Sequence, residues 1–198
     1  MELKLHRGAE IGPFIERLAE FRITYFREYP YLYEGTPAYE AQYLKGYGEN
    51  PRALLVTVRQ GDTLMGVSTG IPLGESDGIT QGAGALLARA GLRPETAYYF
   101  GEIILAPEAR GSGLCRRIFE LQEQAADALG FEATCLLSVL RPAAHPLKPP
   151  GYRETDTLWR HLGYRLLEGT VDFSWPVIQP QGPPVEQENP MALWAKAL

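Results

Sequence analysis

The sequence predicts an α/β protein with one central, twisted, mixed β-sheet and helices on both faces. The chain has 198 residues, of which 45% are hydrophobic and 22% charged, so it is long enough to bury one core. Strand-like runs at 53–59 and 63–71 are joined by Gln60-Gly61-Asp62, which is typical of an antiparallel hairpin. Later, a helical pattern separates two apolar strands, 98–105 and 133–140, and a helix that crosses between strands requires them to be parallel.

Composition excludes several classes of protein. The formal net charge is -5 and the pI is about 5.3, whereas a nucleic-acid binder needs a basic face. No apolar run approaches the roughly 18 residues of a membrane span. The first residues already alternate between apolar and charged side chains, unlike a signal peptide. We therefore expect a cytoplasmic protein without signal peptide or membrane segment. Cys115 and Cys135 lack metal-ligand spacing, which predicts buried thiols and no metal site.

The N-terminal part predicts a strand and two helices. Leu3 and Leu5 alternate with charged residues, which indicates a short first strand. Helical spacing of apolar residues then predicts a helix over 10–28, with Pro13 suited to its first turn. A second helix is expected after Thr36-Pro37, because threonine is a good N-cap and proline a good first helical residue.

The most informative stretch runs from Tyr98 to Gly130 and predicts a strand, a glycine turn and a helix. The strand ends before Pro107, which cannot donate to a β-ladder. Gly111 and Gly113 stand where the chain must turn into a helix with one apolar stripe. N–H groups at such a turn point outward at the positive end of the helix dipole, so the turn suits a phosphate or pyrophosphate. An ordinary βα turn without a ligand is the alternative.

The segment Ile103-Ile104-Leu105-Ala106-Pro107-Glu108-Ala109-Arg110-Gly111-Ser112-Gly113-Leu114 resembles motif A of the GNAT N-acyltransferase superfamily. In that motif an Arg/Gln-x-x-Gly-x-Gly/Ala turn follows a strand that ends in an apolar residue, any residue and proline. Arg110 and Gly113 fit, and Cys115 stands where the last small residue is expected. The turn is not a Walker loop and lacks the third glycine of a dinucleotide fingerprint. The resemblance implies a GNAT fold, in which two parallel strands splay apart and acetyl-CoA inserts its pantetheine arm.

Residues 152–162 are predicted to form a short helix that ends at Gly163. A second resemblance covers residues 159–164, which are similar to the aromatic-x-x-x-Gly-Phe/Tyr pattern of GNAT motif B. The first aromatic residue there is often a tyrosine that protonates the departing thiolate. An indole N–H is no useful acid, so we interpret Trp159 as a packing residue against the cofactor and Tyr152 as the stand-in acid. For Arg116 a solvated helix face is an equal alternative to a phosphate contact. The two motifs imply that the cofactor is bound by Ile104, Leu105, Ala106, Arg110, Gly111, Ser112, Gly113, Leu114, Cys115, Arg116 and Trp159.

Glu102 is the candidate general base. It lies on the motif strand in an otherwise apolar sequence, on the same face as Ile104 and Ala106. In GNAT enzymes a carboxylate acting through water commonly serves as base. A structural ion pair with an arginine is the alternative interpretation. His145, on a proline-rich loop at the same end of the sheet, is the second candidate, because the ordinary pKa of imidazole suits the task.

The acceptor is expected to lie beside the aromatic segment 29–37, which joins the first two predicted helices. In GNAT enzymes this connection covers the acceptor site, so the resemblance implies that Tyr31, Tyr33 and Glu34 contact the substrate. Ordinary packing of the tyrosines is the alternative. The expected acceptor is an amine of a small molecule or of a protein, and both classes stay open.

The sequence divides into a predicted GNAT-type acetyltransferase domain over 1–175 and a proline-rich C-terminal arm over 176–198. The arm has few apolar residues, so we expect it to be extended or partly disordered. Its apolar end, 191–194, is expected to dock on the body or on a second subunit, which makes a homodimer reasonable.

The predicted function is therefore acetyl-CoA-dependent N-acetyl transfer by direct attack of an amine on the thioester. Three alternatives remain at this stage. One is a non-catalytic acyl-CoA-binding module, which the absence of the motif B tyrosine permits. The others are O-acyl transfer from the same cofactor and a different nucleotide or phosphate ligand at the glycine turn.

Overall fold

A single mixed sheet forms the centre of the molecule. The computed structural model of the protein describes residues 1–76 and 78–198. The strands within these residues are β1 Glu2–Arg7, β2 Leu54–Gln60, β3 Thr63–Pro72, β4 Ala97–Leu105, β5 Ala133–Val139, β6 Arg165–Val177 and β7 Val185–Ala197. These seven strands lie in the order β1-β2-β3-β4-β5-β7-β6. β4 and β5 are parallel, and the other neighbours are antiparallel, which confirms the predicted mixed sheet.

Helices cover both faces of this sheet. The α-helices of the described chain are α1 Ile15–Tyr25, α2 Pro37–Glu49, α3 Thr80–Arg89, α4 Leu114–Ala128 and α5 Asp156–His161. Buried residues of α1, α2 and α3 share one core cluster with Tyr99 of β4. Phe119 of α4 and Trp159 of α5 share another cluster with Phe100. Because successive residues of a strand point to opposite faces, the two clusters lie on opposite sides of the sheet.

Two of the predicted helices are shorter than the sequence pattern suggested. A 3₁₀ turn over Gly8–Phe14 precedes α1, and the chain turns back after Tyr25, where Phe26 O accepts a hydrogen bond from Tyr33 N at 2.8 Å. The predicted helix over 152–162 is α-helical only in α5, because Tyr152 N instead closes a turn onto Pro149 O at 3.1 Å. The cap of α2 is as predicted, since Thr36 Oγ1 accepts from Tyr39 N.

The parallel strands β4 and β5 part after four paired positions. Their register runs from Ala97 opposite Ala133 to Phe100 opposite Leu136 and then stops. On the other side of β4 the register with β3 shifts at the same place, so that Gly101 and Glu102 face the single residue Thr69. Such a bulge bends a strand and increases its twist. The predicted splay of the two strands is therefore present.

The C-terminal segment corrects the expected division of the chain. Residues 176–198 do not form a separate arm, because β7 is hydrogen-bonded between β5 and β6, inside the sheet. Trp194 is fully buried and Leu193 is too. The first half of β7 is mostly exposed and only its second half is buried, so the apolar run was too short to indicate an interior strand.

Two further findings concern the described residues as a whole. None of the helices there combines the length and apolar character that crossing a membrane would need. No group of three or more histidine, cysteine, aspartate or glutamate side chains in that part of the chain is arranged to hold a metal ion.

Candidate active site

A large cavity opens where β4 and β5 part. Its volume is about 1080 Å³, and its walls include residues 101–105 on one side and 137–141 on the other. Beyond Phe100 and Leu136 the two strands no longer pair with each other. Peptide N–H and C=O groups on facing strand edges can bind a peptide-like ligand in the manner of an added strand.

The glycine turn contributes Gly111 to the wall of this cavity. Gly111 and Gly113 have φ angles of 72° and 78°, in the left-handed region that costs other residues energy. Gly113 is the N-cap of α4. The turn therefore brings the N-terminus of α4, a helix of 15 residues, close to the cavity. The positive end of a helix dipole favours the binding of an anionic group.

Glu102 is held by a buried ion-pair cluster on the bulge of β4. Its carboxylate accepts hydrogen bonds from the guanidinium of Arg22, from Tyr43 Oη at 2.9 Å and from the hydroxyl of Thr69. Arg22 also binds Glu40 through Nε at 2.5 Å, and Glu40 accepts from Tyr33 Oη at 2.8 Å. The structural ion pair left open as the alternative for Glu102 is thus present, and it does not remove Glu102 from the cavity wall.

Arg22 was not identified from the sequence, although it determines the electrostatics of the site. It lies on α1 one helical turn after the buried Leu18, and only 9% of its surface is exposed. Glu102 and Glu40 raise its pKa even against the cost of burial, so it is a fixed cation. An arginine in the apolar stripe of a helix is the signal that would have pointed to a buried acidic partner.

A smaller cavity of about 250 Å³ adjoins the large one. Half of the residues that line it are aromatic. Residues that line both cavities are Phe26, Tyr31, Gly101, Glu102 and Leu137. Glu102 therefore lies where the two spaces meet, next to the point at which β4 leaves β5.

Comparisons with known proteins agree with this arrangement at the level of the fold. No protein-family model matches the chain, and no curated protein matches it in sequence. Among solved structures, a ribosomal-protein-alanine N-acetyltransferase from Brucella melitensis is similar with a TM-score of 0.61 and 13% identity, over 98% of this chain and 99% of that one. A GCN5-related N-acetyltransferase from Kribbella flavida has a TM-score of 0.57 and 18% identity, over 99% and 98%. The protein has the GNAT fold.

A third similar structure comes from the mosquito. It is described as an arylalkylamine N-acetyltransferase like 5b and has a TM-score of 0.59 and 17% identity, over 100% of both chains. At sequence identities this low, the structural similarity shows the fold alone. The substrate and the roles of individual residues have to be inferred from the site itself.

The residues expected to bind the cofactor are divided between the large cavity and the core of the GNAT fold. The cavity is lined by Ile104, Leu105, Arg110, Gly111, Cys115 and Trp159. Ala106 and Leu114 are instead buried in an adjoining core cluster. Ser112 Oγ donates to Ala109 O at 2.6 Å, and Arg116 contacts His161 on the surface. Ser112, Gly113 and Arg116 do not line the cavity, so a role for them in binding rests on the GNAT resemblance alone.

Arg110 is already engaged by a carboxylate. Its two terminal nitrogens donate to Glu28 at 2.9 and 3.1 Å, and its Nε donates to Leu105 O at 2.9 Å. Both side chains are about half exposed. A phosphate at the turn would therefore meet a guanidinium that Glu28 partly neutralises.

Tyr152 lines the large cavity and packs edge-on against Tyr29, with ring centroids 4.7 Å apart. Burial, with smaller contributions from Glu154 and Tyr29, raises the pKa of Tyr152 to about 12. The phenol is accordingly protonated at neutral pH and can donate a hydrogen bond into the cavity.

Two other candidate residues, His145 and Glu34, lie outside the walls of both cavities. His145 packs against Tyr29 and accepts a hydrogen bond from Leu147 N at Nδ1, 3.2 Å away. Burial and Arg141 lower its pKa. Glu34 pairs with Arg27 at the surface. Neither side chain lines the large or the small cavity, whereas Tyr31 and Tyr33 both line the small one.

Proposed function

We propose that the protein is an acyl-CoA-dependent N-acyltransferase that uses acetyl-CoA as donor. The observation that carries the proposal is the junction of the two cavities at Gly101 and Glu102. A donor in the large cavity and an acceptor in the small one would meet beside a carboxylate. Holding two reactants in one such place supplies much of the rate of a bimolecular reaction.

The larger cavity has the features that coenzyme A needs. Its volume of about 1080 Å³ is at the upper end of ligand pockets, roughly 300–1,000 Å³. Facing strand edges suit the amide groups of pantetheine, and the glycine turn suits the phosphates. Trp159 lines the same cavity, and its buried Nε1 has no hydrogen-bond partner within the described residues. One of the similar solved structures, an acetyltransferase from Bacillus subtilis, is described as a complex with CoA.

When bound, acetyl-CoA supplies an activated acyl carbon and a thiolate leaving group. The amine must lose a proton before or as its nitrogen bonds to that carbon, and we assign the role of proton acceptor to Glu102, because it lines both cavities. Its Oε1 is occupied by Arg22 and Tyr43, whereas Oε2 accepts from Thr69 and keeps lone-pair capacity for an ammonium or a bridging water.

Tyr152 serves the leaving thiolate as a hydrogen-bond donor rather than as a full proton donor. With a pKa of about 12 against roughly 8.5 for a thiol, complete proton transfer to sulfur would be uphill by about 5 kcal/mol. A hydrogen bond to a charged acceptor contributes about 1.5–3 kcal/mol without that cost. Replacing Tyr152 by phenylalanine should lower kcat about tenfold or more and leave the Kd of CoA nearly unchanged.

The decisive experiment compares Gly111→Asp with Gly111→Asn. Both side chains tolerate a positive φ, their shapes are nearly equal, and a Cβ at Gly111 meets nothing within 4 Å. They differ in one negative charge at the turn. We expect the Kd of acetyl-CoA, measured by calorimetry, to be at least about tenfold weaker for the aspartate variant, or about 1.4 kcal/mol. Equal affinities would contradict phosphate binding at the turn.

Activity is then read as thiol release from acetyl-CoA across a panel of amines. Release that depends on an added amine supports transfer, and release with alcohols alone would indicate an O-acyltransferase. Tight binding without release for any acceptor would indicate a binding module. Displacement of acetyl-CoA by ATP as well as by CoA would favour a general nucleotide site over the proposed one.

A further inference from the structure

The walls of the smaller cavity are an ordered group of aromatic rings. Tyr31 stacks on Phe26 with centroids 4.3 Å apart and planes inclined by 15°, and it faces Trp175 at 6.2 Å. Tyr39 lies parallel to Tyr43, 6.3 Å away and inclined by 7°. The rings come from the loop after α1, from α2 and from β6, so several elements fix them. Such surfaces bind flat rings and organic cations.

Hydrogen bonds from the side chains of Arg141 and Trp175 to backbone carbonyls hold the loop that carries Tyr31. Arg141 donates through Nε to Pro30 O at 2.7 Å and through Nη2 to Tyr31 O at 2.9 Å. The indole of Trp175 also donates to Tyr31 O, at 3.1 Å. The ring of Tyr31 is therefore positioned before any ligand arrives, which reduces the entropy cost of binding.

The charge at the end of this cavity is negative. Glu40 and Glu102 contribute two negative charges and Arg22 one positive charge, so the ion-pair cluster carries a net charge of about -1. Both acidic residues are buried, with 0% of Glu40 and 3% of Glu102 exposed, and Glu102 is the one of the two that lines the cavity. Burial raises the pKa of Tyr31 to about 12 and that of Tyr43 and Tyr99 well above the usual value, so these rings stay neutral. An ammonium group beside Glu102 would balance the cluster.

The size of the cavity limits what can accompany that ammonium. Its volume of about 250 Å³ is that of roughly eight water molecules at about 30 Å³ each. One aromatic ring with a short aminoalkyl chain fits this space, whereas a folded protein surface does not enter it.

We propose that the acceptor is a small primary arylalkylamine, with its ring among the tyrosine and tryptophan side chains and its ammonium at Glu102. The inference rests on the proposed acyl transfer for the chemistry, but the binding site stands on the cavity itself. In the reaction the ammonium first gives one proton to Glu102, which passes it to solvent, and the free amine nitrogen then bonds to the acyl carbon. The carbon–sulfur bond breaks, and the second proton of the nitrogen is taken up by the departing sulfur, which leaves as the thiol of CoA.

Binding is tested directly with three probes, in the presence and absence of CoA. Phenethylamine has the ring and the charge, cyclohexylethylamine keeps the charge and the size without the aromatic ring, and hydrocinnamate keeps the ring with the opposite charge. We expect phenethylamine to bind at least threefold more tightly than the cyclohexyl amine and hydrocinnamate to bind at least tenfold more weakly. Equal affinities for the three probes would overturn the inference.

Substitution of Tyr39 tests whether the aromatic ring of the amine binds in the smaller cavity. Tyr39 lines the cavity and is 56% exposed, so its replacement should leave the fold intact. In Tyr39→Leu the preference for phenethylamine over cyclohexylethylamine should fall towards unity, and in Tyr39→Phe, which keeps the ring, the preference should persist. An unchanged preference in Tyr39→Leu would contradict ring recognition in this cavity.

Turnover separates this inference from the proposed function. Thiol release with phenethylamine at low concentration supports both. Release with a polyamine or a lysine peptide, but not with phenethylamine, overturns the acceptor class and keeps the acyltransferase. Binding of phenethylamine without thiol release for any amine supports the amine site and overturns acyl transfer.

Discussion

At the scale of single residues, the site depends on one arginine shared by two carboxylates. Arg22 is the cation that pairs with Glu102 within the protein interior, and Glu40 binds the same guanidinium through Nε. Buried charges are tolerated only when they are paired and hydrogen-bonded. Here neutral hydroxyl donors complete the cluster, among them Tyr33 and Tyr43.

Removal of the cation should cost more than removal of a carboxylate. Arg22→Met leaves two buried carboxylates without a counter-charge, and we expect the free energy of unfolding to fall by about 3–5 kcal/mol. Glu40→Gln leaves one cation and one anion and keeps an acceptor for Tyr33, so about 1–2 kcal/mol is expected. Urea denaturation of both variants measures the difference. Equal costs would mean that the charge balance of the cluster is not what stabilises it.

A buried histidine should make stability dependent on pH. His6 lies on β1 with Nε2 at 3.0 Å from Thr57 Oγ1, and burial, followed by Lys4, lowers its pKa below 6.5. The unfolded chain therefore takes up a proton at higher pH than the folded chain. The stabilisation is complete above about pH 6.5 and is lost as the pH falls through the lower folded pKa.

The check is thermal or urea unfolding of wild type and His6→Gln between about pH 7 and pH 5. The variant should lose less stability over this interval, because glutamine keeps a hydrogen-bonding group and does not titrate. A wild-type profile as flat as that of the variant would contradict a lowered pKa for His6.

At the scale of elements, the glycine turn and the start of the loop after α1 are linked by Glu28 and Arg110. The bidentate pair joins two segments that line the large cavity. It is half exposed, so its own contribution to stability is small. Its effect should appear instead in the binding of anions, because Glu28 competes for the same guanidinium.

Glu28→Gln should therefore tighten CoA binding by about twofold to fivefold, the range that about 0.4–1 kcal/mol of an exposed pair allows. Glu108→Gln is the matched control, since it removes a carboxylate from the same region without releasing Arg110. Calorimetric Kd values for the two variants decide the matter. Equal changes would assign the effect to net charge alone, and weaker binding in Glu28→Gln would contradict competition.

At the scale of the whole molecule, the structural elements that could be predicted from the sequence are those with a pattern in neighbouring residues. The hairpin, the parallel strands and the glycine turn each have signals within a few residues, and the structure confirms them. The pair of Arg22 and Glu102 spans 80 residues of sequence, and no local pattern records such a pairing. The smaller cavity was predictable only in part. Tyr31 and Tyr33 belong to one aromatic segment of the sequence, whereas Trp175 lies on β6, more than 140 residues later, and reaches the same cavity only in the folded sheet.

The position of β7 was missed because burial there depends on neighbours that lie far away in the chain. Because β7 lies between β5 and β6 in the sheet, we expect that deletion of residues 185–198 abolishes cooperative unfolding. Deletion of Leu198 alone, which is 41% exposed, is the control and should lower the Tm by a few degrees at most. A cooperative transition in the larger deletion would mean that the sheet forms without β7.

The strand order also has a consequence for synthesis. β5 and β6 leave the ribosome before β7, although β7 separates them in the finished sheet. A nascent chain that has reached residue 184 therefore presents two open strand edges that could pair with each other or with another copy. β6 carries Glu168 and Asp172 at exposed positions. Charged side chains on an unpaired strand disfavour association with other chains, so we expect them to limit aggregation until β7 has been synthesised and pairs with β6.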